Sequence, residues 1–158
     1  MKKTLAILLL FISLNLFAET KMVIQDNGVG DIKLGQVLPK EFRVNYFKGM
    51  YADFLDYEGY LLKDLGLKIA VTSKKSNRVK FLVIDSDKIK TAEGLGIGST
   101  LNDIKRVYPS YSANEVPPTF GNDEYAVMGK ADSSVVFYFK DKKSFIGGSA
   151  VTRVMIFK

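Results

Sequence analysis

The fold is decided by a glycine-rich turn that opens a short helix, Thr91-Ala92-Glu93-Gly94-Leu95-Gly96-Ile97-Gly98-Ser99-Thr100-Leu101-Asn102-Asp103-Ile104-Lys105-Arg106-Val107-Tyr108. Gly94, Gly96 and Gly98 supply the backbone freedom that a tight turn needs. Thr100 and Asp103 predict a capping box, because the hydroxyl can accept from a first-turn amide while the carboxylate reaches back. We therefore treat these glycines and Thr100 as structural residues.

The segment behind this turn carries one apolar stripe. Leu101, Ile104 and Val107 recur at three to four residues, which is the spacing of an amphipathic helix. Pro109 follows and disfavours further helix. A helix this short is marginal by itself in water, so we expect it to lie on a sheet.

A weaker copy of the same stretch occurs earlier in the chain. When Gly98 is aligned with Gly35, apolar and basic positions coincide: Leu101 with Leu38, Arg106 with Arg43, Val107 with Val44, Leu95 with Ile32 and Ile97 with Leu34. This match predicts a tandem repeat, with units at about 28–85 and about 91–158. Each unit is too small to bury much apolar surface alone, so the two should share one core.

Extended segments follow each glycine turn. In the first unit they are predicted near 52–62, 67–72 and 78–84, and the polar stretch 73–77 is short enough to make the last two an antiparallel hairpin. In the second unit they are predicted near 125–128, 134–140 and 151–157. A first helix is expected after Pro39, a residue that suits a first helical turn. The predicted fold is α+β, with two helix-plus-antiparallel-strand repeats forming one continuous antiparallel sheet and short helices on one face.

The first 18 residues have the features of a secretory signal peptide. Lys2 and Lys3 precede an apolar run that ends at Ala18. The run is short for a membrane span, although an uncleaved anchor stays open as an alternative. We expect an exported protein, periplasmic or secreted, whose mature part (19–158) is a single domain without an integral membrane span.

Two residue types are absent. The chain has no cysteine and no histidine, so it has neither disulfides nor a lipid-modified cysteine, and it lacks a thiol nucleophile and the usual base near neutral pH. This composition favours a protein that is not an enzyme and that needs no cofactor or metal.

The net charge is modestly positive, formally +6. The basic residues are scattered or lie in predicted turns, as solvated loop tips do, and an anionic partner such as the cell wall or lipid headgroups is the alternative. No basic stripe interleaved with aromatics is present, so nucleic acid is not an expected partner.

The glycine phrases resemble those of the β-lactamase-inhibitor-protein-like fold, with the outer-membrane assembly lipoproteins of the SmpA/OmlA type as single-unit relatives. The likeness rests on Gly30-Asp31-Ile32-Lys33-Leu34-Gly35 and on the stretch from Thr91 to Leu101. It implies a sheet with helices on one face and a protein-binding role. The chain departs from both groups, because it lacks the disulfides of the inhibitor and the lipidated cysteine of the lipoproteins, so no inhibitory residue is carried over.

Several patterns allow other chemistry. Paired carboxylates would suit a hydrolase, and calcium or a serine–lysine pair are further alternatives. The glycine series also superficially matches a dinucleotide turn, although its third glycine is misplaced, and the following helix start could hold an anion. The residues concerned are Asp53, Asp56 and Glu58, or Asp123 and Glu124, for a hydrolase; Asp85, Asp87 and Glu93 for calcium; Ser73, Lys74, Lys75 and Ser76 for serine chemistry; and Ser99 and Thr100 for an anion.

Aromatic residues indicate the binding surface. Most should pack in the core, but Tyr111, Phe120 and Tyr125 lie in or beside a loop with two prolines, and tyrosines on a solvated surface are common at interfaces. We therefore expect a non-enzymatic protein that binds another protein or an envelope component through a sheet face and this loop. The alternatives are a carboxylate-dependent envelope hydrolase and a structural envelope protein.

Overall fold

The structure is a computed structural model that describes residues 22–51, 55–115, 125–130 and 133–157. The signal peptide predicted at residues 1–18 lies outside the described residues. Most of the regular secondary structure in the described residues is in strands, and the rest is in two short α-helices and two 3-10 turns.

Four short strands form a small sheet. They are β1 (Val23–Gln25), β2 (Gly28–Val29), β3 (Ile32–Lys33) and β8 (Lys90–Thr91), in the order β3-β2-β1-β8. The strands β1, β2 and β3 pair antiparallel, whereas β1 pairs parallel with β8 through Ile24 and Thr91. The small sheet therefore joins the segment before the first glycine turn to the segment before the second.

Eight strands form a large antiparallel sheet in the order β4-β5-β6-β7-β12-β11-β10-β9. The two central strands, β7 and β12, pair through three residues each, with Val83 opposite Met155. The strands are β4 (Tyr46–Tyr51), β5 (Leu55–Leu62), β6 (Leu67–Val71), β7 (Val79–Ile84), β9 (Ser112–Glu115), β10 (Tyr125–Met128), β11 (Val135–Phe139) and β12 (Arg153–Ile156).

The helices are short and capped by side chains. Helix α1 (Leu101–Val107) begins at the capping box, in which Thr100 accepts from the Asp103 amide at 3.3 Å and Asp103 accepts from the Thr100 amide at 2.8 Å. Helix α2 (Lys142–Ile146) begins at Asp141, whose carboxylate accepts from the Ser144 amide. The sequence predicts the cap at Thr100 but not the cap at Asp141.

The main apolar core lies between the two sheets. Strand residues alternate between faces, and on β11 Val135, Phe137 and Phe139 point into this core. The small sheet contributes Ile24, Val29 and Ile32, which are at most 3% exposed. Ile104 of α1 and Phe145 of α2 join the same cluster, so both helices cover the face that the small sheet covers.

The prediction of one continuous sheet is wrong, because the chain forms two sheets. The stretches before and around the glycine turns pair with each other instead of extending the large sheet. The reason is apolar burial: Ile24, Val29 and Ile32 lie on the side of the small sheet that packs on the large one. If these strands extended the large sheet at its edge instead, one side of these side chains would remain exposed to water.

The helix expected after Pro39 is only a 3-10 turn, Lys40–Phe42. Arg43 ends it, because its guanidinium donates to the Leu38 carbonyl oxygen at 2.6 and 2.9 Å, and Asn45 then has a positive φ of 48°. The aromatic residues that follow form strand β4. By contrast, the predicted hairpin between β6 and β7 is present and antiparallel.

The two glycine turns make the same pair of hydrogen bonds. The amide of Gly35 donates to Val79 at 2.8 Å, and the amide of Val79 donates to the residue after Gly35 at 2.8 Å. The amide of Gly98 likewise donates to Val151 at 3.0 Å, and the amide of Val151 donates to the residue after Gly98 at 2.8 Å. Both glycines have positive φ, +74° and +90°.

Candidate functional site

The face of the large sheet that points away from the small sheet is also apolar. We call it the second face. Its strand side chains form a separate cluster in which each member is at most 8% exposed, with Tyr57, Ala126 and Met128 at its margin. No described residue of the small sheet or of the helices belongs to this cluster. Its buried members are Ala70, Phe81, Val83, Val136, Tyr138 and Met155.

A charged group borders the second face where β6, β7 and β12 lie side by side. The carboxylate of Asp85 is 2.7 Å from the ammonium of Lys68 and 3.5 Å from the guanidinium of Arg153. Two basic side chains thus share one carboxylate, and the local charge is positive. These side chains are between 27% and 41% exposed, so water screens the ion pairs.

A cleft of about 610 Å³ opens at one end of strands β4, β5, β6 and β7. This volume is in the range of small-molecule sites in proteins. A β-bulge shapes one wall: Val71 pairs with Val79 and Ala70 with Phe81, so Lys80 has no partner residue on β6. The lining residues are Lys48, Gly49, Tyr57, Glu58, Val71, Thr72 and Lys80.

Glu58 is held by two donors beside this cleft. Its carboxylate accepts from the hydroxyl of Tyr46 and from the backbone amide of Lys74. The hydrogen bond from Tyr46 is the main reason that the pKa of Glu58 is lowered. The same bond raises the pKa of Tyr46 to about 12. Glu58 is therefore a carboxylate at neutral pH, with both oxygens engaged.

The ring of Tyr57 forms an aromatic wall of the cleft. It packs edge-on against Phe47, with centroids 5.4 Å apart, and against Phe81 at 5.3 Å. Partial burial raises the pKa of the Tyr57 hydroxyl. The ring is thereby fixed between its neighbours, and its position does not depend on a ligand.

Two of the three predicted binding aromatics, Tyr111 and Tyr125, do not belong to the cluster of the second face. Tyr111 and Tyr125 are both half-buried and pack against the main core. Tyr125 lies 4.3 Å from the ring of Phe145, centroid to centroid, and the ammonium of Lys105 lies 5.6 Å from the ring of Tyr111. Phe120 lies outside the described residues.

The glycine turn before α1 uses its polar groups internally. The amide of Gly96 donates to the hydroxyl of Ser99 at 3.1 Å, and the Thr100 amide donates to Asp103. Gly94 has a positive φ of 85°. The groups considered for an anion at this helix start are thus already hydrogen-bonded within the turn.

Only some of the other candidate residues are among those that the structure describes. Asp53, Asp123 and Glu124 lie outside the described residues, as does the side chain of Asp56. The residues Ser73, Lys74, Lys75 and Ser76 form a connecting loop in which the Ser76 amide donates to the Ser73 hydroxyl at 3.1 Å. Of the residues considered for calcium, Asp85 pairs with basic groups. Within the described ranges, no three acidic side chains are placed to hold a metal ion.

In the part of the chain that the structure describes, no helix has the length and apolar character needed to cross a bilayer. Sequence reasoning missed the cleft. Its one visible signal is Lys80, an exposed charge within the otherwise buried strand β7.

The described residues define a mixed α and β protein built on antiparallel sheets. No protein-family model matches the chain, and no curated protein matches it. Its fold is similar to the crystal structure of the uncharacterized protein yfeY from Escherichia coli, with a TM-score of 0.59 and 11% sequence identity over 88% of this chain and 100% of that chain. This likeness shows the fold alone. The resemblance to inhibitor-like and SmpA/OmlA proteins stays a prediction.

Proposed function

We propose that this chain is an exported, non-enzymatic binding protein that recognises a partner protein along the margin of the second face of its large sheet. The observation that carries the proposal is the chemistry of that margin, where the partly exposed side chains of Tyr57, Ala126 and Met128 lie beside the buried cluster. A sheet covered by another layer on one side usually presents polar residues on the other, whereas here the other side carries a second cluster of aromatic and aliphatic side chains.

The positive charge at the margin of the second face indicates the kind of partner protein that would bind there. Lys68 and Arg153 share the single carboxylate of Asp85, and Lys80 is exposed on the neighbouring strand. An apolar protein surface with acidic residues at its rim would complement both the partly exposed margin and these cations. Apolar contacts would supply most of the affinity, and the charges would orient the partner.

Export and a tandem-repeat origin belong to the same proposal. Export is supported by the sequence pattern of residues 1–18. The repeat is supported by the matching hydrogen bonds at Gly35 and Gly98 and by the strand order, which reads outward from the β7–β12 pair in the same sequence on both sides. The periplasm is the compartment that we propose.

Site-specific photo-crosslinking in intact cells tests this function. A photoreactive amino acid placed at Ala126 or Met128, at the margin of the second face, should produce an adduct heavier than the chain. The same group at Lys105, exposed on helix α1, is the control and should produce none. An Arg153→Glu variant should weaken the adduct, because it reverses one of the proposed orienting charges.

Three results would contradict this function. They are adducts of equal yield at the control position, crosslinks only within the chain, and adducts of twice the chain mass. The second result would mean that other parts of the same chain cover the face. The third would mean that the partner is another copy of this protein.

A further inference from the structure

Among its described lining residues, the cleft at the end of β4, β5, β6 and β7 carries more positive than negative charge, with Lys48 and Lys80 against Glu58. Lys48 and Lys80 are both exposed, and neither ammonium makes a hydrogen bond or ion pair with a described residue. Among the described lining residues, Glu58 is the one carboxylate, and both its oxygens already accept from Tyr46 and Lys74. The described lining of the cleft therefore carries a net positive charge that can attract an anionic ligand.

A third lysine near the cleft, Lys74, already has an interaction partner. The ammonium of Lys74 lies over the ring of Tyr46, 4.5 Å from its centroid, so it has a cation–π partner. Lys48 lies opposite Glu58 in the β4–β5 register, and Lys80 is the extra residue of the bulge on β7. A bulge commonly re-aims a side chain, and here it adds an exposed lysine to the lining of the cleft.

The remaining lining is apolar or small. The ring of Tyr57 is partly exposed and fixed by its aromatic neighbours, so it offers an apolar contact, whereas the side chain of Val71 is buried in the main core. Gly49 leaves space beside this contact. A Cβ at Gly49 would lie 3.7 Å from the ring of Phe47 and 3.9 Å from the ring of Tyr57, which are ordinary contact distances. A larger side chain at Gly49 would extend into the space beside Tyr57.

We propose that this cleft binds an anionic group, a phosphate or a carboxylate, carried on a planar or aliphatic body. Lys48 and Lys80 neutralise the anion, and the ring of Tyr57 contacts the body. Small organic anions and the headgroups of anionic lipids share this chemistry. The cleft shares Tyr57 and Lys80 with the margin of the second face, but Lys48, Ala126 and Met128 distinguish the two roles, so each can fail without the other.

Titration with phenyl phosphate, followed by amide chemical shifts, tests the cleft. The amides of Gly49, Val71 and Thr72 should shift together and saturate. Lys48→Gln and Lys80→Gln should each weaken binding by about tenfold, because each removes one charge-assisted contact. Lys105→Gln removes an exposed lysine from helix α1 and should change nothing.

Two further arms separate the sources of the anion and test the steric argument. Binding to phosphatidylglycerol vesicles but not to phosphatidylcholine vesicles, with the same dependence on Lys48 and Lys80, would assign the anion to a lipid headgroup. Gly49→Leu should abolish binding of phenyl phosphate while its circular dichroism spectrum stays unchanged. Absence of saturable shifts together with absence of vesicle binding, or equal losses in Lys105→Gln, would overturn the proposal.

Discussion

The hydroxyl of Tyr60 donates a hydrogen bond to Oδ1 of Asn77 at 2.6 Å, and both residues are buried. Asn77 ends the loop between β6 and β7 with a positive φ of 48°, and its side-chain amide donates to the Lys74 carbonyl oxygen at 2.7 Å. Its own carbonyl oxygen accepts from Leu38 at 2.7 Å. One asparagine thus links strand β5, the loop and the first glycine turn.

Tyr60→Phe should lower the free energy of unfolding by about 1–3 kcal/mol, because it leaves the buried Oδ1 of Asn77 without its donor. Urea unfolding measures the change. Tyr111→Phe is the matched control, since the Tyr111 hydroxyl has no hydrogen bond to a described residue, and its effect should stay within about 0.5 kcal/mol. Equal effects of the two variants would contradict the role of this bond.

The bond between Tyr46 and Glu58 should make stability depend on pH at both extremes. The pKa of Glu58 is lowered, so its contribution is present above the ordinary glutamate range and is lost as pH falls through the lowered value. The pKa of Tyr46 is raised from 10.0 to about 12, so its contribution is complete below pH 10 and is lost as pH rises toward 12.

Tyr46→Phe should therefore destabilise the protein near neutral pH, and the difference from the natural chain should shrink at both low and high pH. Urea unfolding at about pH 3, about pH 7 and about pH 11 measures it. The carboxyl carbon of Glu58, followed by NMR, should titrate at higher pH in the variant. A difference that stays constant with pH would refute the coupling.

Alanine should destabilise the protein at Gly59 of β5 but not at Gly49 of β4. A Cβ at Gly59 would overlap the backbone carbonyl oxygen of Ile69 on the neighbouring strand, which cannot rotate away. Gly59→Ala should lower the free energy of unfolding by about 3 kcal/mol. Gly49→Ala meets only ordinary contacts, so it should not destabilise the protein. If thermal unfolding showed that Gly59→Ala and Gly49→Ala lose the same stability, this close approach of β5 and β6 would be contradicted.

The two equivalent turn glycines should respond alike. Gly35 and Gly98 have positive φ, and a Cβ at either meets no atom within 4 Å, so the cost of alanine is backbone strain alone. Gly35→Ala and Gly98→Ala should each cost about 1–2 kcal/mol. Asparagine tolerates this region better, so the two Asn variants should lose less. A loss at one turn and none at the other would argue against their equivalence.

Local chemistry made part of the fold predictable. The capping box depends only on Thr100 and Asp103, which are three residues apart, and the β6–β7 hairpin depends on a short polar loop between two apolar runs. Such features are stabilised by neighbours in sequence, so they can be predicted from a single chain.

Features stabilised by distant contacts were not predictable in this way. Strand β4 follows Pro39, a helix-opening signal, and becomes a strand because its residues pair with β5. Helix α2 has five residues, too few to show a period, and Phe145 anchors it to the core. The cleft and the second face combine residues from several strands, so their composition depends on a register that spacing alone does not specify.

The order of the large sheet sets the order in which its parts can be completed. In each set of four strands the earliest, β4 or β9, is outermost, and the latest, β7 or β12, is central. As a nascent chain emerges with its amino end first, β7 exists long before β12, and the backbone of Leu82, Val83 and Ile84 awaits its partner. An unpaired apolar edge can recruit strands from other molecules. The edge of β7 therefore stays open to such pairing until β12 has formed.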